Sequence, residues 1–382
     1  MGTPRHFAGM ICLVRFAALI VLVCAAPTAF AATSPALRVV SATPVPELDA
    51  LFQRTNGWIG ADGNYSVPVT DERTLWFFSD TWLGAVAHGH RTNAMLINNS
   101  LGVQTGRGTA ARAEFFWKTN EQLRPAAFFT PSDGHGWFWP VGGAMTSGRL
   151  SFLLWQMEKA PGPAAFGFRH AAVWLGEVEN PLDPPPHWHV TQKKLPFTEL
   201  SKERHFILGS AVLAQAGFLY VFGTEEHPGA RNFGRRMVLA RAPMSAVGEL
   251  THWRFFSDGE WVSDFHRATA LAEGMASEYS VTPLAAGGFV AVTHDVFLSP
   301  RIVARTAPHP WGPWSQKVGV FECPEAGWKK GIFCYSGKAH PELATGDELV
   351  LTYAANAGSL HDVIHDARLY WPRFIRAKVA SP

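Results

Sequence analysis

Residues Asn56–Gly84 read NGWIGADGNYSVPVTDERTLWFFSDTWLG. A Gly-flanked acid, Asp62, stands before a short strand predicted over Tyr65–Val69. The polar turn TDER leads into an apolar strand predicted over Leu75–Phe78, and a second acid, Asp80, follows it. Runs of β-branched and aromatic residues bounded by Gly, Pro and Asp are the signature of strands joined by tight turns. Two acids therefore bracket one hairpin.

The hairpin recurs. Its pattern is a strand of small residues, a polar or Gly turn, then a strongly apolar strand. It returns as WPVGGAMTSGRLSFLLWQ (139–156), ILGSAVLAQAGFLYVFGTE (207–225), EYSVTPLAAGGFVAVTHD (278–295) and YSGKAHPELATGDELVLTYAAN (335–356). The apolar strands end roughly 60 to 75 residues apart, which leaves room for two more strands in each unit. MLINNSLGV and EFFWK after the first unit, RMVLARA and WRFF after the third, and RIVARTA after the fourth supply candidates. Four antiparallel strands repeated five times predict an all-β, five-bladed β-propeller. The last unit lacks one strand, since only Arg368–Val379, interrupted by Pro372, follows LVLTYAA. The N-terminal run ALRVVS (36–41) is expected to join that last blade and close the ring, which removes two free sheet edges.

The rest of the composition agrees with one such domain. Gly (35), Pro (27) and 13% aromatics suit many short strands and turns, and no long amphipathic helical pattern appears. Residues 1–31 read as an export signal: Arg5 and Arg15 flank an apolar run, and Ala29-Phe30-Ala31 is a small-x-small cleavage pattern. The expected layout is 1–31 signal peptide, 32–55 N-terminal segment with the closing strand, and 56–382 propeller, located in the periplasm or outside the cell. No later stretch reaches the ~18 apolar residues of a transmembrane helix, so no membrane association is expected after cleavage. Cleavage removes two basic residues and no acids, so the formal charge falls from +2 to zero. That balance gives no electrostatic reason to expect nucleic acid as a partner. Of four cysteines only Cys323 and Cys334 remain, expected to form one disulfide in an oxidising compartment.

In a propeller the starts of the inner strands and the ends of the second strands meet at one end of the central channel. Asp62, Asp80, Glu278 and Asp295 all occupy such places. Each also has a structural reading: Asp62 as a turn residue, Asp80 as a turn cap, Asp295 as the partner of His294. Glu278 abuts an inner strand, where a charge must be solvated or paired. Together the acids suit glycoside cleavage, which takes one carboxyl group to protonate the leaving oxygen and a second as base or nucleophile. Tyr65, Tyr279 and Tyr335, each followed by Ser, recur at one repeat position. They either pack between blades or ring the channel mouth as hydrogen-bond donors. Trp58 and Trp82 are candidates for sugar stacking, with a place in the core as the commoner role; His340, Glu342 and, less directly, His205 are further candidates facing the channel. No P-loop, dinucleotide fingerprint, nucleophile elbow or zinc spacing appears, so no cofactor is expected, and the channel is left to hold water or a structural cation.

GADGNYSVPV with TLWFFSDTWLG, then EYSVTP and YSGKAHPEL, resembles a group of secreted five-bladed propellers long known as a domain of unknown function, some members of which are assigned as endo-D-arabinofuranan hydrolases. The chain also looks distantly like the arabinanase and xylosidase propellers, with Ala61-Asp62-Gly63 and Glu278-Tyr279-Ser280 at places similar to those of their catalytic acids. The resemblance implies a hydrolase acting on a carbohydrate, with Asp62 as base or nucleophile and Glu278 as proton donor; a monomer is expected. In the second unit, where that pattern has a third acid, Trp139-Pro140 stands instead, and Asp80 is the substitute. A glycan-binding propeller without catalysis is the alternative.

Overall fold

A computed structural model describes residues 1–2, 36–162, 166–229 and 234–380. The chain divides into two compact units, Met1–Ala32 and Thr33–Pro382, and the fold belongs to the second. The segment read as an export signal lies, apart from Met1 and Gly2, outside the described residues. Among the described residues no helix is long and apolar enough to cross a membrane.

The second unit is nearly all-β. Its α-helices among the described residues are two short ones, Pro46–Asp49 and Leu360–His365. Each predicted hairpin forms and opens an antiparallel sheet. Sheet 1 runs Tyr65–Thr70, Arg73–Phe78, Ser100–Thr105, Arg112–Phe116; sheet 2 runs Trp137–Thr146, Arg149–Lys159, Phe168–Val178, Val190–Lys194. Sheet 3 is built on His205–Gln215, Phe218–Glu226, Arg236–Pro243 and Arg254–Ser257, with three short strands added. Sheet 4 runs Tyr279–Pro283, Phe289–His294, Arg301–Ala307, Val318–Glu322. Sheet 5 takes Ile332–Ala339, Glu348–Ala357 and Pro372–Ala380 from the C-terminal end and Arg38–Pro44 from the N-terminal end. Arg38–Pro44 pairs antiparallel with Pro372–Ala380, the pairing expected of ALRVVS, although the last strand begins at Pro372 instead of containing it.

The first strands of successive sheets pack side by side, from sheet 1 through sheet 5. Sheets 5 and 1 are joined by Ser66 Oγ to His340 Nδ1 at 2.6 Å and by Ser336 Oγ donating to Gly63 O at 3.1 Å. Small residues belong on these strands because neighbours crowd them. A Cβ on Gly209 would lie 2.9 Å from Trp155 Nε1 and 3.0 Å from Val141 Cγ2. The second strands are buried along nearly their whole length, as continuous apolar runs require. Aromatic rings fill the seams: Phe77 of sheet 1 stacks on Phe152 of sheet 2 with centroids 4.9 Å apart.

Two readings of the first unit need correction. MLINNSLGV is not one strand: it breaks at Asn98-Asn99, and its halves belong to different sheets. Asn99 is buried, its side-chain amide is bonded to the backbone of Phe129 and Phe138, and its own carbonyl accepts from Phe128 N at 3.2 Å, so it is tied to that segment instead of to either ladder. In addition, Asn56–Ala61, part of the quoted stretch that carried no strand prediction, pairs with Thr81–Ala87, and His90–Ile97 completes this three-stranded sheet. The opening stretch therefore serves two sheets, and its acids lie where the chain passes from one to the other.

Candidate active site

Asp62 follows the end of Asn56–Ala61 and Asp80 precedes Thr81–Ala87, so the two acids stand at the same crossover. Their backbones are laced together: Ser79 N donates to Asp62 O at 3.0 Å and Asp62 N to Asp80 O at 3.3 Å. Gly63 makes this approach feasible. It has φ +83°, and a Cβ there would meet Ser79 Oγ at 2.8 Å and Ser79 N at 2.9 Å.

Both carboxyl groups open into a cavity of about 780 Å³, and Glu278 opens into the same cavity from the start of sheet 4. Asp62 Oδ2 accepts the phenol O–H of Tyr335 at 2.6 Å and of Tyr370 at 2.9 Å. Its Oδ1 is buried with no hydrogen-bond partner among the described residues. Burial pushes the Asp62 carboxyl up to about 8; the neighbouring Asp80 and Glu278 push the same way and the two phenols pull it back. Burial also raises Asp80, to about 6, against the indole N–H of Trp139 at 2.9 Å and the amide of Asn98 at 3.5 Å, which favour its charged form. Trp139, the residue standing where a third acid was sought, thus serves the site as a donor to Asp80. Glu278 accepts from the buried ammonium of Lys338, Nζ to Oε1 3.2 Å. Of the three acids, Glu278 is thus the one that faces a resident cation.

The remaining wall is aromatic and mixed-charge. Trp139, Trp155, Phe168, Phe297 and Phe333 line it, with His170, His205, Glu226 and Arg235. His205 lies 3.3 Å from Glu226, and burial lowers His170 to about 3, leaving it neutral. Apolar walls with a few convergent polar groups are the usual make-up of a small-molecule or glycan site.

Several expected site residues lie elsewhere. Of the three tyrosines only Tyr335 reaches an acid. Tyr65 donates to Ser210 O at 3.1 Å and Tyr279 to Gly223 O at 2.7 Å, both buried as ties between strands. Trp58 is 2% exposed, stacks on Phe115 with centroids 4.2 Å apart and donates to Ser100 Oγ at 3.0 Å. Trp82 is likewise buried, packed in the core shared with Ile59 and Tyr370. Asp295 is held outside the cavity by Lys317 at 2.7 Å and Arg301 at 3.5 Å. His340 and Glu342 do not line the cavity either: they follow the far end of Ile332–Ala339, whose near end carries Tyr335. His340 is buried between Ser66 Oγ and Thr352 Oγ1, each 2.6 Å away, and burial lowers it to about 3. Cys323 and Cys334 form the expected disulfide. Tyr370 and Lys338 were missed. Lys338 carried a usable signal, because the rule applied to Glu278, that a charge on an inner strand must be paired or solvated, applies to it equally.

A family model described as a domain of unknown function (DUF5005) matches residues 46–379. The chain belongs to this family. A search of curated proteins finds no match for this DUF5005 chain. Among solved structures it is similar to a protein of Bacteroides ovatus ATCC 8483 assigned provisionally as a hydrolase, at 17% identity over 88% of this chain and 90% of that one, with a TM-score of 0.70. That likeness establishes a shared fold. The chain also matches a GH43_1 enzyme of Xanthomonas citri (15% identity, 89% and 90% covered, TM-score 0.44). A third match is the catalytic domain of a GH62 α-L-arabinofuranosidase of Coprinopsis cinerea (10% identity, 86% and 99% covered, TM-score 0.45).

Proposed function

We propose that this chain is an exported glycoside hydrolase in which the five sheets are the blades of a closed five-bladed propeller and the cavity is its active site. The layout is a signal peptide over 1–31, an N-terminal segment over 32–55 and the propeller over 56–382. The observation that carries the reading is the meeting of Asp62, Asp80 and Glu278, from two distant parts of the chain, in one aromatic-walled cavity. Carboxyl groups in different protonation states are what glycosidic cleavage uses: a protonated one for the leaving oxygen and an ionised one for the anomeric carbon. The raised Asp62 and the ion-paired Glu278 supply that asymmetry. The substrate class is a polysaccharide, of arabinofuranan type on the family resemblance, bound by a monomer without cofactor. The test is release of reducing ends from arabinan-type glycans by the wild type, Asp62→Asn and Glu278→Gln. Loss of at least about a hundredfold in each variant is expected; full activity in both removes the assignment.

One observation favours a second reading, a glycan-binding propeller without catalysis: Glu278 is already paired with a base, Lys338. On that reading the wild type binds glycan and releases no reducing ends.

A further inference from the structure

Lys338 is bonded to one of the three acids of the site, and the resemblance provides no role for it. It lies on the inner strand of sheet 5, just past a break in register between Tyr335 and Lys338, where Ser336 takes φ +65°. The irregularity turns the lysine inward, and it is 1% exposed. Its ammonium donates to Glu278 Oε1 at 3.2 Å, to Ser336 O at 3.2 Å and to Ser336 Oγ at 2.6 Å, and it sits 4.1 Å from the centre of the Tyr65 ring. Three donors thus find three acceptors. An ion taken out of water costs several kcal/mol unless an opposite charge faces it, and the carboxylate bonded to this one is Glu278. The other titratable groups that act on the pair are Asp62, Tyr65, Tyr335, His294 and His340. Burial leaves both histidines neutral, and among the described residues Lys338 is the base bonded to the Glu278 carboxylate.

We propose that Lys338 is a positioning residue that keeps Glu278 a carboxylate and so makes Glu278 the electron-pair donor of the site, leaving proton donation to Asp62. This rests on the glycoside hydrolase reading and reverses the roles that the family resemblance implies. Asp62 lines the same cavity with no cation bonded to it: Oδ2 accepts the Tyr335 and Tyr370 phenol hydrogens and Oδ1 is buried without a partner among the described residues, surroundings that favour the protonated carboxyl. In the reaction the glycosidic C–O bond breaks and its electron pair stays on the leaving oxygen, which takes the Asp62 proton. The new bond to the anomeric carbon uses an electron pair of Glu278, directly or through a water whose proton Glu278 accepts.

The test is the pH profile of kcat/KM on an arabinofuranose polysaccharide for wild type, Lys338→Met and Lys338→Arg. Removing the ammonium makes the Glu278 carboxylate harder to form. The acidic limb of Lys338→Met is therefore expected to move up by about one pH unit or more, with the alkaline limb in place and the shift largely undone in Lys338→Arg. If Glu278 is the donor, the alkaline limb moves instead, and that result, or no movement of either limb, overturns the proposal. A second measurement does not depend on the lysine variants folding. On 2,4-dinitrophenyl arabinofuranoside, whose leaving group needs no proton, Asp62→Asn is expected within about tenfold of wild type and Glu278→Gln down by about a thousandfold or more. The opposite order overturns the role assignment while leaving the hydrolase reading intact. A wild type inactive on both substrates overturns both.

Discussion

Stability that falls as pH rises through neutrality is a direct consequence of the buried acids, and Asp62→Asn isolates it. The Asp62 carboxyl is raised from 3.8 to about 8, by burial first and by Asp80 second. Between those values the folded chain keeps a proton that the unfolded chain has released, so stability declines with rising pH across that interval. Below the unfolded value both states are protonated and nothing is lost; above the folded value both are ionised and the full cost stands. Between about pH 6.5 and about pH 8.5, one proton bound only by the folded state is worth at most about 2.7 kcal/mol, and titration of the folded group near 8 returns about 0.8, leaving about 2 kcal/mol. Asp49 and Asp80, both raised to about 6, have mostly ionised over that range. The buried His170, His294 and His340, lowered to about 3, 4 and 3, contribute alike to both proteins and cancel in the difference. The assay is urea unfolding followed by tryptophan fluorescence and extrapolated to water at the two pH values. Wild type is expected to lose about 2 kcal/mol more than Asp62→Asn over the interval. Parallel losses, equal to within about 0.5 kcal/mol, refute the reasoning, because Asp62 would then titrate as an ordinary aspartate.

Other consequences follow from particular contacts. Trp58→Ala removes a core ring and is expected to cost about 3–5 kcal/mol in urea unfolding while leaving the glycan affinity of the folded fraction unchanged; lost affinity at full stability would return Trp58 to the binding surface. Replacing Cys323 and Cys334 with serine opens a loop of sequence separation 11, with an expected loss of roughly 3 kcal/mol; unaltered unfolding would show that the bridge constrains nothing. Trp139→Phe deletes the indole bond to the Asp80 carboxyl, so that carboxyl, followed by NMR titration of its carbon, is expected to titrate about half a unit to one unit higher than in wild type; an unmoved titration shows that the bond does not favour the charged form.

The hairpins were legible because strand patterning is local. Small residues, a Gly or polar turn and an apolar run are each read within a few positions, and all five units formed where the pattern placed them. Asp62, Asp80 and Glu278 were legible as site candidates because the ends of antiparallel strands gather at one edge, and they do share a cavity. Repeat position was a poorer guide to side-chain direction. Tyr65, Tyr279 and Tyr335 are equivalent in the repeat, yet two spend their hydroxyls on backbone carbonyls and one on Asp62. The strand Asn56–Ala61 carried no prediction, and Gly57 and Gly60 leave it without the strand composition of its partner, yet it pairs with Thr81–Ala87.

The sequence alone determined the repeating hairpin, the nearly all-β character, the pairing of Cys323 with Cys334 and the carboxyl groups at strand ends, since all of these follow from residue type and short spacing. The tertiary structure decided the charge states. Asp62 meets phenols 273 and 308 positions away, and Glu278 meets an ammonium 60 positions away. Such contacts depend on bulges and on the packing of separate sheets to within about 3 Å, and local pattern carries no record of them. The stretch from Asn56 to Gly84 therefore announced two acids, while their burial in the folded chain, and partners as near as Asn98 and as far as Tyr370, decide what protons those acids hold.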